Sequence, residues 1–448
     1  MKSRIENDLI GAVPVPFDAL YGGQTQRALT LYGNARQRTL ADYPEYLGAA
    51  IRLKRVATEI NYQIGAIPSD QSSAIQASVC AALENLQTWF PVSSLCGGGG
   101  IATNMNLNEV LANHANWAGF AQPYGTYHPI HPNEHVNLNH STQDILSTAS
   151  HVAAITSGAE LSQALEQMAQ VLAHLSEWHG DQLKLARTCL QDAAAIRFGD
   201  VFRAQKTWTI RNQRRVQRAM KELYAIAFGA NILGRPGDTP AEFIEQIPAT
   251  MAKEFGSNRY HVANDLVDAT QSHDSLVQVA VQVGLVADGL IKLANDYRLM
   301  SSGPTGGLGE IMLPAVQPGS SAMPGKVNPT VPEYLIHCAI QAQGHCHAAK
   351  ATQALGELDL NVFQGVLITN LLDAMRVLTH GIQVFSRDAL AGVQINTERN
   401  QANLDGLIPL LVQAKHQFGY QYASDLQRQF GNDAAEIKAA MKNKAKET

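Results

Sequence analysis

The sequence predicts an all-α protein organised around a central bundle of long helices. Two observations carry that expectation: apolar residues recur every three or four positions over several long stretches, and no strand-like alternation of comparable length is present. A third concerns size and polarity. The 448 residues are 45% hydrophobic and 16% charged, with a net charge of -5. A chain this apolar can build a large core and lacks the charge of a disordered one. Typical soluble chains carry roughly 25% charged residues, so the shortfall points to surface buried in an oligomer. The weak acidity argues against a nucleic-acid role.

Taken in order, the first residues (MKSRIENDLIGAVPVP) lack the basic start and apolar run of a signal peptide, and no apolar run reaches the roughly 18 residues of a membrane span. Five dispersed cysteines, an odd number, fit free thiols in a reducing cytoplasm. Cys96 to Gly100 is one cysteine followed by four glycines, and His128 to Asn139 is rich in Pro, Asn and His. From His151 to Trp178 the spacing of Val152, Ile155, Leu161, Leu165, Met168, Leu172 and Leu175 predicts a helix of about eight turns. Gly229 to Pro240 reads as a loop. A second helix follows Ser275 (Leu276, Val279, Val283, Val286, Leu290, Leu293). Loops at Ser301 to Gly309 and Pro318 to Pro329 bracket a short apolar piece, Ile311 to Leu313. Two more helices are expected from about Pro332 to His347 and from about Leu360 to Ser386, with a charged, frayed end (MKNKAKET). Helices this long bury their apolar stripes only against one another.

The most informative stretch is Gly319 to Pro329, GSSAMPGKVNP. Two Gly and two Pro rule out a helix there. Its Ser and Lys suit two tasks: a serine made basic by positive charge and backbone donors, and a lysine that anchors a carboxylate.

GSSAMPGKVNP resembles the signature loop of the aspartase/fumarase superfamily. Other segments agree in order: LYGGQTQRA (Leu20 to Ala28), TNMNLNEVLAN (Thr103 to Asn113), HPNEHVNLNHSTQD (His131 to Asp144), ARTCLQDA (Ala186 to Ala193), NDLVDATQSHD (Asn264 to Asp274) and the run from Asn295 to Gln317. The resemblance covers roughly residues 10 to 430 and looks closer to aspartase and fumarase than to argininosuccinate lyase. It implies an all-α subunit of three domains: residues 1–133 with an active-site loop, a central bundle at 134–386 and a small C-terminal domain at 387–448. It also implies a homotetramer whose active sites are shared between subunits, no membrane or nucleic-acid partner, no organic cofactor and no metal in the catalytic step. The chemistry implied is anti β-elimination from an amino-acid-like small molecule, through an aci-carboxylate carbanion that needs preorganised donors.

Residue by residue, the resemblance makes Ser320 the base. Lys326, Asn328 and Thr188 hold the α-carboxylate, and Ser141, Thr142 and Gln143 face the activating group. Asn104, His140, Ser321 and Met323 lie against substrate. Glu333 matches an acid that orients site groups, and a helix-start carboxylate is its plainer role.

Departures from the family pattern bear on the reaction. Where the family has Gly-Thr-Ser, this chain has Gly100-Ile101-Ala102, losing a hydroxyl donor. Gln143 replaces a shorter Asn. Cys189 stands where fumarases carry His and aspartases a Gln. A thiol can protonate a leaving group, but a buried one is more often a small hydrophobe. Hydroxide needs an acid to leave, whereas an ammonium does not, so the missing His favours a C–N lyase over a fumarase-type hydratase. The altered pocket also admits a betaine-type substrate, as in the ergothionase branch of the superfamily. The loop from Phe228 to Pro240 lacks the family's Thr-Ala-Val core, and Asn231 or Arg235 there is either turned to substrate or part of a redesigned surface loop. His128, His131, His135 and His140 have ligand-like spacing without a completing Cys or carboxylate, so a satisfied polar role is expected for His140.

Overall fold

The computed structural model describes residues 2–33 and 38–447. It is 66% helical. The long helices are Thr142–Trp178, Phe198–Glu222, Asp274–Met300, Thr330–Ala351 and Gln364–Asp388. The first begins nine residues before the expected start, because Ser141 and Asp144 form the reciprocal half of a capping box: the Asp144 carboxylate accepts the Ser141 backbone N–H at 2.8 Å. Strand structure among the described residues is confined to four two-stranded ribbons. One of them lies where the ARTCLQDA segment falls: strands Leu183–Thr188 and Gln191–Arg197 form a hairpin.

The chain divides into two compact units. The first comprises Met1–Leu161, Arg215–Leu285 and Gln341–Arg376. Its helix Pro44–Gln63 buries Leu47, Ala50, Ile51, Ala57 and Thr58 on one stripe, and helix Ile101–Phe120 is buried nearly all round. Glu109 on that second helix accepts backbone N–H bonds from Gly22, Gln24 and Thr25 at 2.8 to 3.1 Å, which fixes the N-terminal LYGGQTQRA segment. Burial pushes its carboxyl upward, against the pull of those donors.

The second unit comprises Ser162–Arg214, Val286–Ile340 and Val377–Thr448. Here the long helices meet side by side through small residues. A Cβ on Gly289 would lie 1.9 Å from the Trp208 ring, and one on Gly381 would lie 2.9 Å from Cys338. Tyr297 packs edge-on against Phe385 at 5.4 Å and donates its hydroxyl to Gln205 at 2.9 Å. Asp274–Met300 is long and apolar enough to cross a membrane by composition, but half of its apolar window is buried in protein. A separate cluster of Leu410, Ala414, Ala423, Leu426, Ile437 and Met441 forms the core of the C-terminal helices.

Candidate active site

The signature stretch in the second unit is an irregular loop, as its Gly and Pro content requires, and it leads into helix Thr330–Ala351. It closes on itself: Gly319 N–H donates to Lys326 O at 2.8 Å and Asn328 Nδ2 donates to Gly319 O at 2.9 Å. Gly319 is required by that closure, since a Cβ there would sit 2.7 Å from Lys326 O. The closed loop turns two backbone N–H groups onto one oxygen. Ser320 Oγ accepts from Ala322 N at 3.1 Å and Met323 N at 3.0 Å. Donors so placed stabilise an alkoxide over the neutral hydroxyl, which is what a serine needs to act as a base. Ser321, Met323 and Lys326 are exposed, Met323 at 53% and neighbouring Val327 at 52%. Glu333 lies in the first turn of the following helix and pairs with Arg298 at 3.5 Å.

Thr188 and Cys189 sit at the tip of the second unit's hairpin. Cys189 and Leu190 form its two-residue turn, both at positive φ (53° and 61°). The Cys189 thiol is exposed, so the small-hydrophobe role does not apply to it. At the base of the hairpin Lys184 Nζ lies 2.5 Å from Glu310, whose other oxygen pairs with Arg187. The side chain of Glu310 is fully buried.

The remaining candidates lie in the first unit. Ser141 and Thr142 are half-buried at the start of the helix Thr142–Trp178. Nearby, helix Ile101–Phe120 begins after three glycines in left-handed conformation (Gly98, Gly99, Gly100), with no side chain capping its first N–H groups. Gly100 approaches Thr142 and Leu146 so closely that a Cβ would meet them at 3.8 and 2.6 Å. Ile101, half-exposed, brings no hydroxyl, but the positive end of the helix remains beside Thr142.

Asn104, Gln143 and His140 are placed inside the unit. Asn104 donates to Thr142 Oγ1 and Asn137 Oδ1, each at 3.0 Å, and accepts from Lys54 Nζ at 2.7 Å. Lys54 also reaches Asn137 Oδ1 at 2.8 Å and His140 Nε2 at 2.9 Å. With His140 Nδ1 against Leu138 O at 2.9 Å, both ring nitrogens are occupied, so His140 is a satisfied core histidine. Burial and the nearby ammonium hold its pKa well below the ordinary value, and burial lowers that of Lys54 as well. The extra methylene of Gln143 carries its amide inward, to Thr270 O at 3.2 Å and His273 at 3.4 Å, so it faces the interior.

Asp144 is the keystone of this region. It accepts from Ser141 N, from Asn231 N at 2.9 Å and from Gly229 N at 3.3 Å, tying the helix start to the loop at Phe228 to Pro240. Burial raises its pKa to about 7 against the pull of those donors. In that loop Asn231 donates its side chain to Asp238 O and Arg235 pairs with Asp238, so both serve the loop's own closure. His131 Nδ1 accepts the N–H groups of Asn133 and Glu134, and His135 Nδ1 accepts that of His131, so these two histidines build a turn.

A lyase family model matches residues 11–344. An aspartate ammonia-lyase from Bacillus sp. is 34% identical over 95% of this chain and 90% of its own length. A class II fumarate hydratase from Thermosynechococcus vestitus is likewise 34% identical, over 98% and 93%. A Brucella melitensis structure described as fumarate lyase:delta crystallin bound to cobalt superposes with a TM-score of 0.93 at 30% identity, covering 98% of this chain and 96% of that one. The chain belongs to the aspartase/fumarase superfamily of lyases.

Superfamily membership makes the protein a lyase and leaves the bond it breaks open, since ammonia-lyases and hydratases match it equally. Four residues bonded to the candidates or to their segments were not singled out from the sequence: Lys54, Asn137, Lys184 and Glu310. Lys54 had a signal, because it falls on the apolar stripe of its helix with Leu47, Ala50 and Ala57, and Asn137 and Glu310 lie inside family-like segments.

Proposed function

We propose that this superfamily member is a carbon–nitrogen lyase. It removes ammonia or a substituted amine from an amino acid or amino-acid derivative and leaves an α,β-unsaturated acid. The observation that carries the reading is the pair of backbone N–H groups on Ser320 Oγ. Ser320, as the alkoxide, takes a proton from the substrate carbon next to the activating group. The electron pair passes into that group, returns to form the double bond and expels nitrogen from the neighbouring carbon. Lys326, Asn328 and Thr188 hold the α-carboxylate. Ser141 and Thr142, beside the open N-terminus of helix Ile101–Phe120, receive the charge on the activating group.

Support for nitrogen over oxygen comes from the acids present. Hydroxide leaves only with a proton donor. His140 is engaged at both nitrogens and is hard to protonate, and the hairpin tip carries Cys189 in place of an imidazole. An amine that enters as ammonium departs without such help. A fumarase-type hydratase using the Cys189 thiol is the second reading, favoured by the exposure of that thiol. An ergothionase-like release of a tertiary amine is a variant of the first, favoured by the apolar Ile101.

We assign the site to a homotetramer in the cytoplasm. Met323 and Val327 on an exposed site loop, and Leu299 and Ile340 on the long helices, are apolar surface suited to cover by other copies. The test is a screen of L-aspartate, L-malate, argininosuccinate and betaines for formation of an unsaturated acid. Turnover of an amine-bearing compound with none of malate is expected, and dehydration of malate alone would sink the reading. Ser320→Ala should lower kcat by about 10²- to 10⁴-fold with the fold intact.

A further inference from the structure

Lys54 is fully buried on helix Pro44–Gln63, and its Nζ meets three acceptors: Asn104 Oδ1 at 2.7 Å, Asn137 Oδ1 at 2.8 Å and His140 Nε2 at 2.9 Å. The imidazole decides how many hydrogens that nitrogen carries. His140 Nδ1 lies 2.9 Å from the carbonyl of Leu138, so it holds the ring proton and leaves Nε2 as an acceptor. Three acceptors take three N–H groups, which only the ammonium supplies. Burial works against that charge, while the three acceptors and nearby Asp144 favour it.

An ammonium donates and never accepts, so it fixes which end of each amide it faces. Asn104 and Asn137 both turn their oxygens to Lys54. The nitrogen of Asn104 is then the end that reaches Thr142. Its hydrogens go to Asn137 Oδ1 and Thr142 Oγ1, each at 3.0 Å. Thr142 Oγ1 accepts in this contact, and its own O–H is spent elsewhere. Farther along the same helix Ser150 and Thr156 donate to the carbonyls one turn back, Leu146 O and Val152 O, at 2.8 and 3.0 Å. Thr142 opens the helix, half-buried, and its hydroxyl donates to no group among the described residues.

We propose that Lys54 is a positioning residue: by turning the amide of Asn104 it commits the Thr142 hydroxyl to donate, so the activating group of the substrate must accept, as a carboxylate does. The proposal rests on the reading that Thr142 faces that group. All these side chains belong to one unit of one chain, so it does not depend on which copies complete the site. Lys54 touches no substrate, and its effect passes through Asn104.

Lys54→Met replaces the ammonium with an apolar chain of similar length. Asn104 can then turn its oxygen to Thr142 and take the hydroxyl hydrogen. On the substrate returned by the screen, kcat should fall about 100-fold, the order lost with one oxyanion donor, with KM within a few-fold. Thr142→Val should lose as much, and Lys54→Met should add nothing further in that background. Losses that multiply, a loss carried by KM instead of kcat, or normal kcat in Lys54→Met beside an impaired Thr142→Val would overturn the proposal. Asn104→Asp asks the same question with Lys54 in place. It keeps an oxygen on the ammonium but presents another to Thr142, so its loss should also match that of Thr142→Val and disappear in that background. This variant decides the matter if circular dichroism shows Lys54→Met unfolded. Full activity of Thr142→Val would instead refute the placing of Thr142 against substrate.

Discussion

Asp144 makes a sharp prediction about pH. Folded, it titrates at about 7 because burial outweighs three backbone donors; unfolded, it returns to 3.8. Between those values the native state keeps a proton that the unfolded chain has released. Its contribution to stability is therefore complete below pH 4 and is lost as pH rises through 7. The full difference is worth about 4 kcal/mol. Total stability is a poor readout, because His140, His151 and His273 are buried with lowered pKa values and stabilise in the opposite sense as pH rises toward 6.5. Asp144→Asn removes one titration and leaves the others. Urea denaturation of both proteins at a series of pH values isolates the contribution of Asp144. The stability of the native protein minus that of the variant should fall steadily from pH 4 to pH 8, by several kcal/mol. A difference that stays flat to within about 0.5 kcal/mol would falsify the idea that burial controls this carboxylate.

Other predictions address packing and chemistry. Gly289→Ala drives a methyl group into the Trp208 ring and should cost about 1–3 kcal/mol, read by thermal or chemical unfolding; an unchanged midpoint would show that the ring gives way freely. Gly234 combines φ of 75° with a site where a Cβ would lie 2.4 Å from the Leu266 backbone. Gly234→Ala should therefore loosen the loop at Phe228 to Pro240, seen as faster hydrogen exchange at Asn231, and undiminished protection would contradict the strain argument. Cys189→Ala should leave amine elimination within a few-fold of normal, since ammonium needs no acid. A loss of about 100-fold or more, the scale of a missing general acid, would show that the thiol protonates the leaving group and would refute the argument that ammonium departs unaided.

Much of this architecture was legible in the residues. Helical periodicity located four of the five long helices, because an apolar stripe must face a core whatever the partners are; Phe198–Glu222 was not read from the sequence. The Gly- and Pro-rich makeup of residues 319–329 dictated an irregular loop, since neither residue continues a helix. Quieter features were missed. The hairpin at 183–197 has short strands and an exposed, mostly non-alternating second strand, so period-two patterning is absent. The helix beginning at Thr142 starts earlier than its apolar stripe because a cap, not a stripe, marks its first turn.

The division between the two levels follows from what each interaction depends on. Local effects, namely spacing, capping and backbone freedom at glycine, are properties of neighbours in the chain. They settled the helical class, the signature loop and the family resemblance from sequence alone. Which polar groups remain open to a substrate depends on partners far apart in sequence. Asn104, His140 and Gln143 carry the right chemistry in the right motifs. Yet Lys54, 50 residues before Asn104 and 86 before His140, and His273, 130 residues after Gln143, draw them inward. The two backbone donors on Ser320 Oγ, by contrast, lie two and three residues away in the chain. Tertiary structure alone decided that the first three bond inward and that Glu310 pairs with Lys184 and Arg187 of the hairpin.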